Sequence, residues 1–73
     1  MDKQKFIAAV AEILETSPQG LVGSEILIEI GAWDSLSIIS FVAMVDNEYN
    51  VVVEPEKLKD AKTIDDLAAL VGL

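Results

Sequence analysis

Gly31-Ala32-Trp33-Asp34-Ser35-Leu36 is the stretch on which the reading of this chain turns, because a loop ends there and a helix begins. Asp34 is a strong N-cap residue type. The apolar residues behind it, Ile38, Phe41, Val42, Val45 and Tyr49, are spaced 3, 1, 3 and 4 apart. That spacing traces one face of a helix advancing about 100° per residue. Ser35 therefore falls in the first turn, where backbone N–H groups lack helical partners and the helix dipole is positive. A phosphodiester on the Ser35 hydroxyl would be electrostatically well placed there. Asp-Ser before an apolar run is also how ordinary helices start, so these residues alone leave a simple cap as an equal reading.

Working upstream, Phe6, Val10, Ile13 and Leu14 form a helical stripe, which predicts a first helix from Lys3 to Thr16 with Asp2 as N-cap and Pro18 and Gly20 as stop signals. The connection from Ser17 to Trp33 is long for so small a chain, which suggests a functional loop with some structure inside it. Ile26, Leu27 and Ile30 have helix-like spacing and are expected to pin it across the bundle, through a short turn before Gly31. Downstream, three β-branched valines, Val51 to Val53, predict an extended connector. Pro55 can open a new helix, and a short helical turn is expected from Glu56 to Asp60, with Leu58 packing as a satellite. Thr63 and Asp66 form a variant capping box for a last helix that buries Ile64, Leu67, Ala68 and Val71 and stops at Gly72. The expected fold class is all-α: a small four-helix bundle, three main helices and one short one, with a long loop between the first two.

The helix after Ser35 is apolar on two sides. Leu36, Ile39 and Ala43 form a second strip away from the core stripe. Either the long loop covers it, or it stays exposed beside Ser35 as a docking surface.

Seventy-three residues suit a single small domain, residues 1–73, with one core. A hydrophobic content of 52% argues for a folded globule rather than an acidic tail. Thirteen acidic residues against five lysines give a net charge of −8, a field that repels nucleic acid and anionic membranes and favours basic protein patches. The same charge also serves solubility alone. Lys3 and Lys5 before Phe6 to Ala11 superficially suggest a signal peptide, but Glu12 ends the apolar run too early. No run approaches the ~18 apolar residues of a membrane span. A cytoplasmic protein is the expectation.

Catalytic constellations are missing. The chain has no histidine, arginine or cysteine, so it builds no Ser-His pair, no bidentate phosphate clamp and no thiolate metal site. Glu54, Glu56 and Asp60 read as a solvated face rather than a cation site, and Asp65 and Asp66 as acids that complement a helix dipole and pair with nothing obvious. Neither enzymatic activity nor a metal is expected. A serine without a base is a poor nucleophile of its own, yet a good acceptor for a modifying enzyme that brings the base and metal.

Gly-Ala-Trp-Asp-Ser-Leu, preceded by Leu27-Ile28-Glu29-Ile30 and joined to an amphipathic first helix, a long loop and the closing segment Thr63 to Val71, resembles the acyl carrier protein family over nearly the whole chain. The resemblance implies that Ser35 bears 4′-phosphopantetheine, with Asp34 as motif acid and Leu36 completing the motif. It implies a freestanding, monomeric carrier of acyl or aminoacyl thioesters. Its partners would be a phosphopantetheinyl transferase and the enzymes that load and unload the arm. Trp33 before the motif is similar to the D-alanyl carriers. It is expected half-buried as a core plug, or exposed to a partner. The chain departs from fatty-acid carriers along its second main helix, where Ser37, Ser40 and Asn47 stand at places commonly acidic, with Asp46 and Glu48 remaining. A dedicated partner recognised through Trp33, Leu36, Ile39, Ser40, Ala43, Asp46 and Asn47 is therefore expected. The cargo stays open between fatty-acyl or polyketide groups and the aminoacyl groups of a D-alanyl-like or peptidyl-type carrier. An unmodified acidic interaction module, with Asp-Ser only a cap, remains the alternative of a different class.

Overall fold

The computed structural model describes residues 3–73, so the expected cap at Asp2 lies outside the described residues. Five helices follow in order: α1 (Lys3–Ile13), α2 (Leu27–Ile30), α3 (Ser35–Tyr49), α4 (Pro55–Lys59) and α5 (Ile64–Leu70). No strand occurs among the described residues. The all-α class, with three main helices, agrees with the sequence reading. The short turn expected before Gly31 is α2.

In α1 the buried residues are Phe6, Ile7, Val10 and Ala11, with Leu14 just beyond its end. Ile13, expected in the stripe, is only partly buried. At about 100° per residue Ile13 lies about a quarter turn from the centre of the face shared by the others, and Ile7 and Ala11 take its place. The helix also ends at Ile13 rather than Thr16. Glu15 turns into the left-handed region at φ 58, its N–H donates to the Glu12 carbonyl at 3.1 Å, and the Thr16 N–H donates to the Ala11 carbonyl at 2.9 Å. These paired bonds are a Schellman stop, built here on a glutamate where glycine is usual. The end of α5 repeats it on Gly72, at φ 87, with Leu73 N–H on the Ala68 carbonyl at 2.9 Å.

The long connection is tied down chiefly by backbone bonds to the start of α5. Leu27 N–H donates to the Lys62 carbonyl at 2.8 Å, Asp65 N–H donates to the Gly23 carbonyl at 2.8 Å, and Ile26 bridges Thr63 in antiparallel fashion. Of the three side chains expected to pin the loop, only Leu27 is fully buried; Ile30 is half-buried and Ile26 is 41% exposed. The carboxylate of Glu25, which the sequence did not single out, accepts from Val22 N–H at 2.9 Å and Gly23 N–H at 2.7 Å. Those donors hold its pKa below the usual carboxylate range, Val22 contributing most.

Helix α3 crosses the bundle with Phe41 and Val45 fully buried and Ile38, Val42 and Tyr49 partly buried against the core. Phe6 meets Phe41 edge-on with ring centres 5.9 Å apart and meets Tyr49 tilted at 6.0 Å, which locks α1 to α3. Asn50, at φ 55, ends the helix, a position asparagine tolerates well.

Helix α4 starts at Pro55 and ends at Lys59, one residue earlier at each end than expected. Leu58 is not a satellite. It is fully buried in the same core as Phe6, Phe41 and Ile64. Helix α5 matches the reading closely: Thr63 Oγ1 accepts from Asp66 N–H at 3.2 Å, and Asp66 Oδ2 accepts from Thr63 N–H at 3.1 Å and Lys62 N–H at 2.9 Å. Ile64, Leu67, Ala68 and Val71 are its buried face. Asp65 does have a partner, an ion pair with Lys3 at 2.9 Å, half-exposed and so worth little.

Candidate functional site

The fold delivers Gly31 to Leu36 to one edge of the bundle. Gly31 is extended, at φ −177, and lies hard against the last turn of α1. Trp33 is half-buried and meets Phe41 edge-on, ring centres 6.3 Å apart at 76°. That contact fixes the angle at which the loop enters α3, as the core-plug reading expects.

Asp34 is the N-cap. Its Oδ1 accepts from Leu36 N–H at 3.1 Å, Ser37 N–H at 3.1 Å and the Ser37 hydroxyl at 3.1 Å, while Oδ2 accepts from no side chain or N–H among the described residues. One oxygen is thus committed to the helix. The donors lower the Asp34 pKa, first the Ser37 N–H, then the Ser37 hydroxyl, with Leu36 N–H a smaller cause that follows an opposing desolvation. The carboxylate is therefore an anion at neutral pH.

Ser35 is the first residue of α3 and is exposed. Its hydroxyl has no hydrogen-bond partner among the described residues. An anion at a helix end gains only about 0.3–1 kcal/mol from the dipole. The N-terminus of α3 therefore accommodates a phosphodiester on this oxygen without being a strong anion trap.

Leu36, Ile39, Ser40, Ala43, Asp46 and Asn47 are all exposed and share one face of α3 that begins directly beside Ser35. Leu36 and Ile39 are 74% and 63% exposed, so the long loop does not cover the second strip. Trp33 stands apart from this face, in the loop. Ser37 does not belong to the outer face at all: it is 6% exposed, and its hydroxyl also bonds to the Ala32 carbonyl. Its burial overturns the expectation that it stands in place of a surface acid. Its place on the Phe41 side of α3, three residues after the cap, is the signal that gives it away. Glu54, Glu56 and Asp60 are exposed, and among the described residues no group of three or more carboxylates is gathered tightly enough to hold a metal ion.

A family model described as the phosphopantetheine attachment site matches residues 4–71. The chain belongs to this family. Neither the curated proteins nor the solved structures yield a match. Membership makes the chain a carrier and not an enzyme, with 4′-phosphopantetheine held covalently on a serine. The motif loop fits such a group: it presents an exposed serine hydroxyl, free of internal bonds, at an open helix end.

Proposed function

We propose that Ser35 is the serine that carries the arm, and that the exposed face of α3 receives the enzymes that load and unload it. The observation that carries this reading is the state of Ser35: exposed, its hydroxyl without a hydrogen-bond partner among the described residues, and one residue after an ionised cap. When attached, the arm supplies a terminal thiol that holds cargo as a thioester. The protein's own residues do the rest. Asp34 keeps the first turn of α3 closed around Ser35, and Trp33, seated on Phe41, keeps the loop from folding over it.

Other hydroxyls suit the role less well. Ser37 is buried and already bonded, Ser17 accepts from Gln19 N–H at 3.3 Å, and Ser40 sits in the middle of α3. Thr63 is occupied as a cap.

The cargo is an acyl or aminoacyl group, and the proposed partners are a phosphopantetheinyl transferase and a dedicated loading enzyme in the cytoplasm. The thin acidic face supports the dedicated reading, because Leu36, Ile39 and Ala43 supply more of the outward surface than Asp46 does. A D-alanyl-like or peptidyl-type aminoacyl carrier is the alternative to a fatty-acyl or polyketide one. We propose that it acts as a monomer.

Intact mass after incubation with coenzyme A and a broad-specificity transferase tests the function. One arm per chain is expected in the wild type and none in Ser35→Ala. A wild type that stays unmodified would support the acidic interaction module, with Asp34 and Ser35 serving only to start a helix.

A further inference from the structure

Ser37 is the one polar residue in the buried set among the described residues, and it is not itself the attachment hydroxyl. Its hydroxyl carries a single proton and faces two acceptors, the Ala32 carbonyl and Asp34 Oδ1 at 3.1 Å. Ala32 lies in the loop before the motif, Asp34 is the cap, and Ser37 is in the first turn of α3. One hydroxyl therefore joins the loop, the motif acid and the helix on either side of Ser35.

Geometry separates this from ordinary capping. The two backbone N–H groups on Oδ1 already satisfy the helix end, and an N-cap needs no more than that. The Ser37 hydroxyl adds a constraint of another kind: its one proton lies between the Ala32 carbonyl and Asp34 Oδ1, so the loop and the carboxylate are tied to the same buried side chain. The carboxylate one residue before Ser35 is thereby tied to the loop as well as to the helix. Burial shields the Ser37 contact from competing water, so it holds more firmly than an exposed serine would.

We propose that Ser37 is a positioning residue for arm attachment, holding the Asp34 carboxylate and the Ala32 turn in the pose in which a transferase meets Ser35. The proposal rests on Ser35 being the attachment site. Lowering of the Asp34 pKa by the Ser37 N–H and hydroxyl agrees with the contact but does not carry it.

The test compares wild type, Ser37→Ala, Ser37→Thr and Ser35→Ala, each checked for helical folding below its melting midpoint, with coenzyme A and one purified transferase. Ser37→Ala should lower kcat/KM for attachment about tenfold, the rate equivalent of one hydrogen bond to a charged group. Ser37→Thr, which restores the hydroxyl, should recover most of the loss. The Asp34 carboxyl resonance should also titrate at higher pH in Ser37→Ala than in the wild type, a change that lost packing alone would not cause. Equal kcat/KM in Ser37→Ala and wild type overturns the proposal. So does a folded Ser37→Thr that stays as slow as Ser37→Ala. If Ser37→Thr does not fold, an unmoved Asp34 titration in Ser37→Ala overturns it and a raised midpoint together with the slower rate supports it. Failure of the underlying reading looks different: modification would persist in Ser35→Ala.

Discussion

Gly31 packs tightly against Leu14: a Cβ at Gly31 would stand 2.6 Å from the Leu14 Cβ and 2.8 Å from the Leu14 carbonyl oxygen. Leu14 is buried in the core just before the left-handed turn at Glu15, and the motif begins where Gly31 meets it. The end of α1 thus sets the position of the residues leading to Ser35.

Replacing Gly31 with alanine should destabilise the fold by about 1–3 kcal/mol, the range for overpacking a close contact. Backbone conformation is not the cause, because φ −177 is extended and open to any residue. Equilibrium denaturation measures the loss. An unchanged midpoint would show that the loop and α1 part freely, and that their contact does not position the motif.

Two substitutions at Asp34 separate its two oxygens' tasks. Asp34→Asn keeps a good cap and removes the charge; Asp34→Ala removes both. The melting temperature should fall slightly in the first, which loses the charge, and by roughly 4–8 °C in the second. Attachment of the arm should slow in both. Equal attachment rates in wild type and Asp34→Asn would reduce Asp34 to a cap.

The apolar strip on α3 is tested by Ile39→Glu. At 63% exposure Ile39 lies outside the core, so stability should change by no more than about 0.5 kcal/mol. Transfer of cargo by the loading enzyme should fall, while arm attachment persists. A large loss of stability, or undiminished transfer, contradicts a docking role for this face.

Acid should destabilise the fold through Glu25, Asp34 and Asp66, whose pKa values are all lowered by hydrogen bonds in which backbone N–H donors lead. A carboxylate with a lowered folded pKa stabilises above its unfolded pKa, ~4, and that contribution disappears as pH falls through the folded value. Stability should therefore drop as pH goes below ~4. Neutralising the net charge of −8 acts the other way, by relieving repulsion, and its benefit comes as the other acids titrate. Glu25→Gln should be less stable than wild type near neutral pH and lose less on acidification. Parallel acid limbs in the two proteins would show that the Val22 and Gly23 bonds do not depend on the Glu25 charge.

Much of this was legible in the sequence wherever a local rule acts alone. The Asp34 cap, the Thr63–Asp66 box and the buried pair Phe41 and Val45 each follow from neighbours within a few residues. Depth was less legible. Leu58 is isolated in a five-residue helix, so no periodicity marks it, and its burial comes from elements far away in the chain. The stop of α1 was missed because glutamate gives no sign of a left-handed turn, whereas Gly72 does. Lys3 with Asp65 is a pairing of the two ends that only the assembled bundle creates. The surface position expected for Ser37 fails because its angle on α3, near that of Phe41, turns it inward.

Residue-level mapping of the arm tests the central claim most directly. After attachment, cleavage at Glu29 and Glu48 releases a peptide holding Ser35, Ser37 and Ser40, and tandem mass spectrometry of it reads the modified residue. The phosphopantetheine should sit on Ser35, with Ser37 and Ser40 unmodified and no arm elsewhere in the chain. Fragment ions placing it on Ser40, on Ser37 or outside this peptide would contradict the assignment of the exposed hydroxyl at the start of α3.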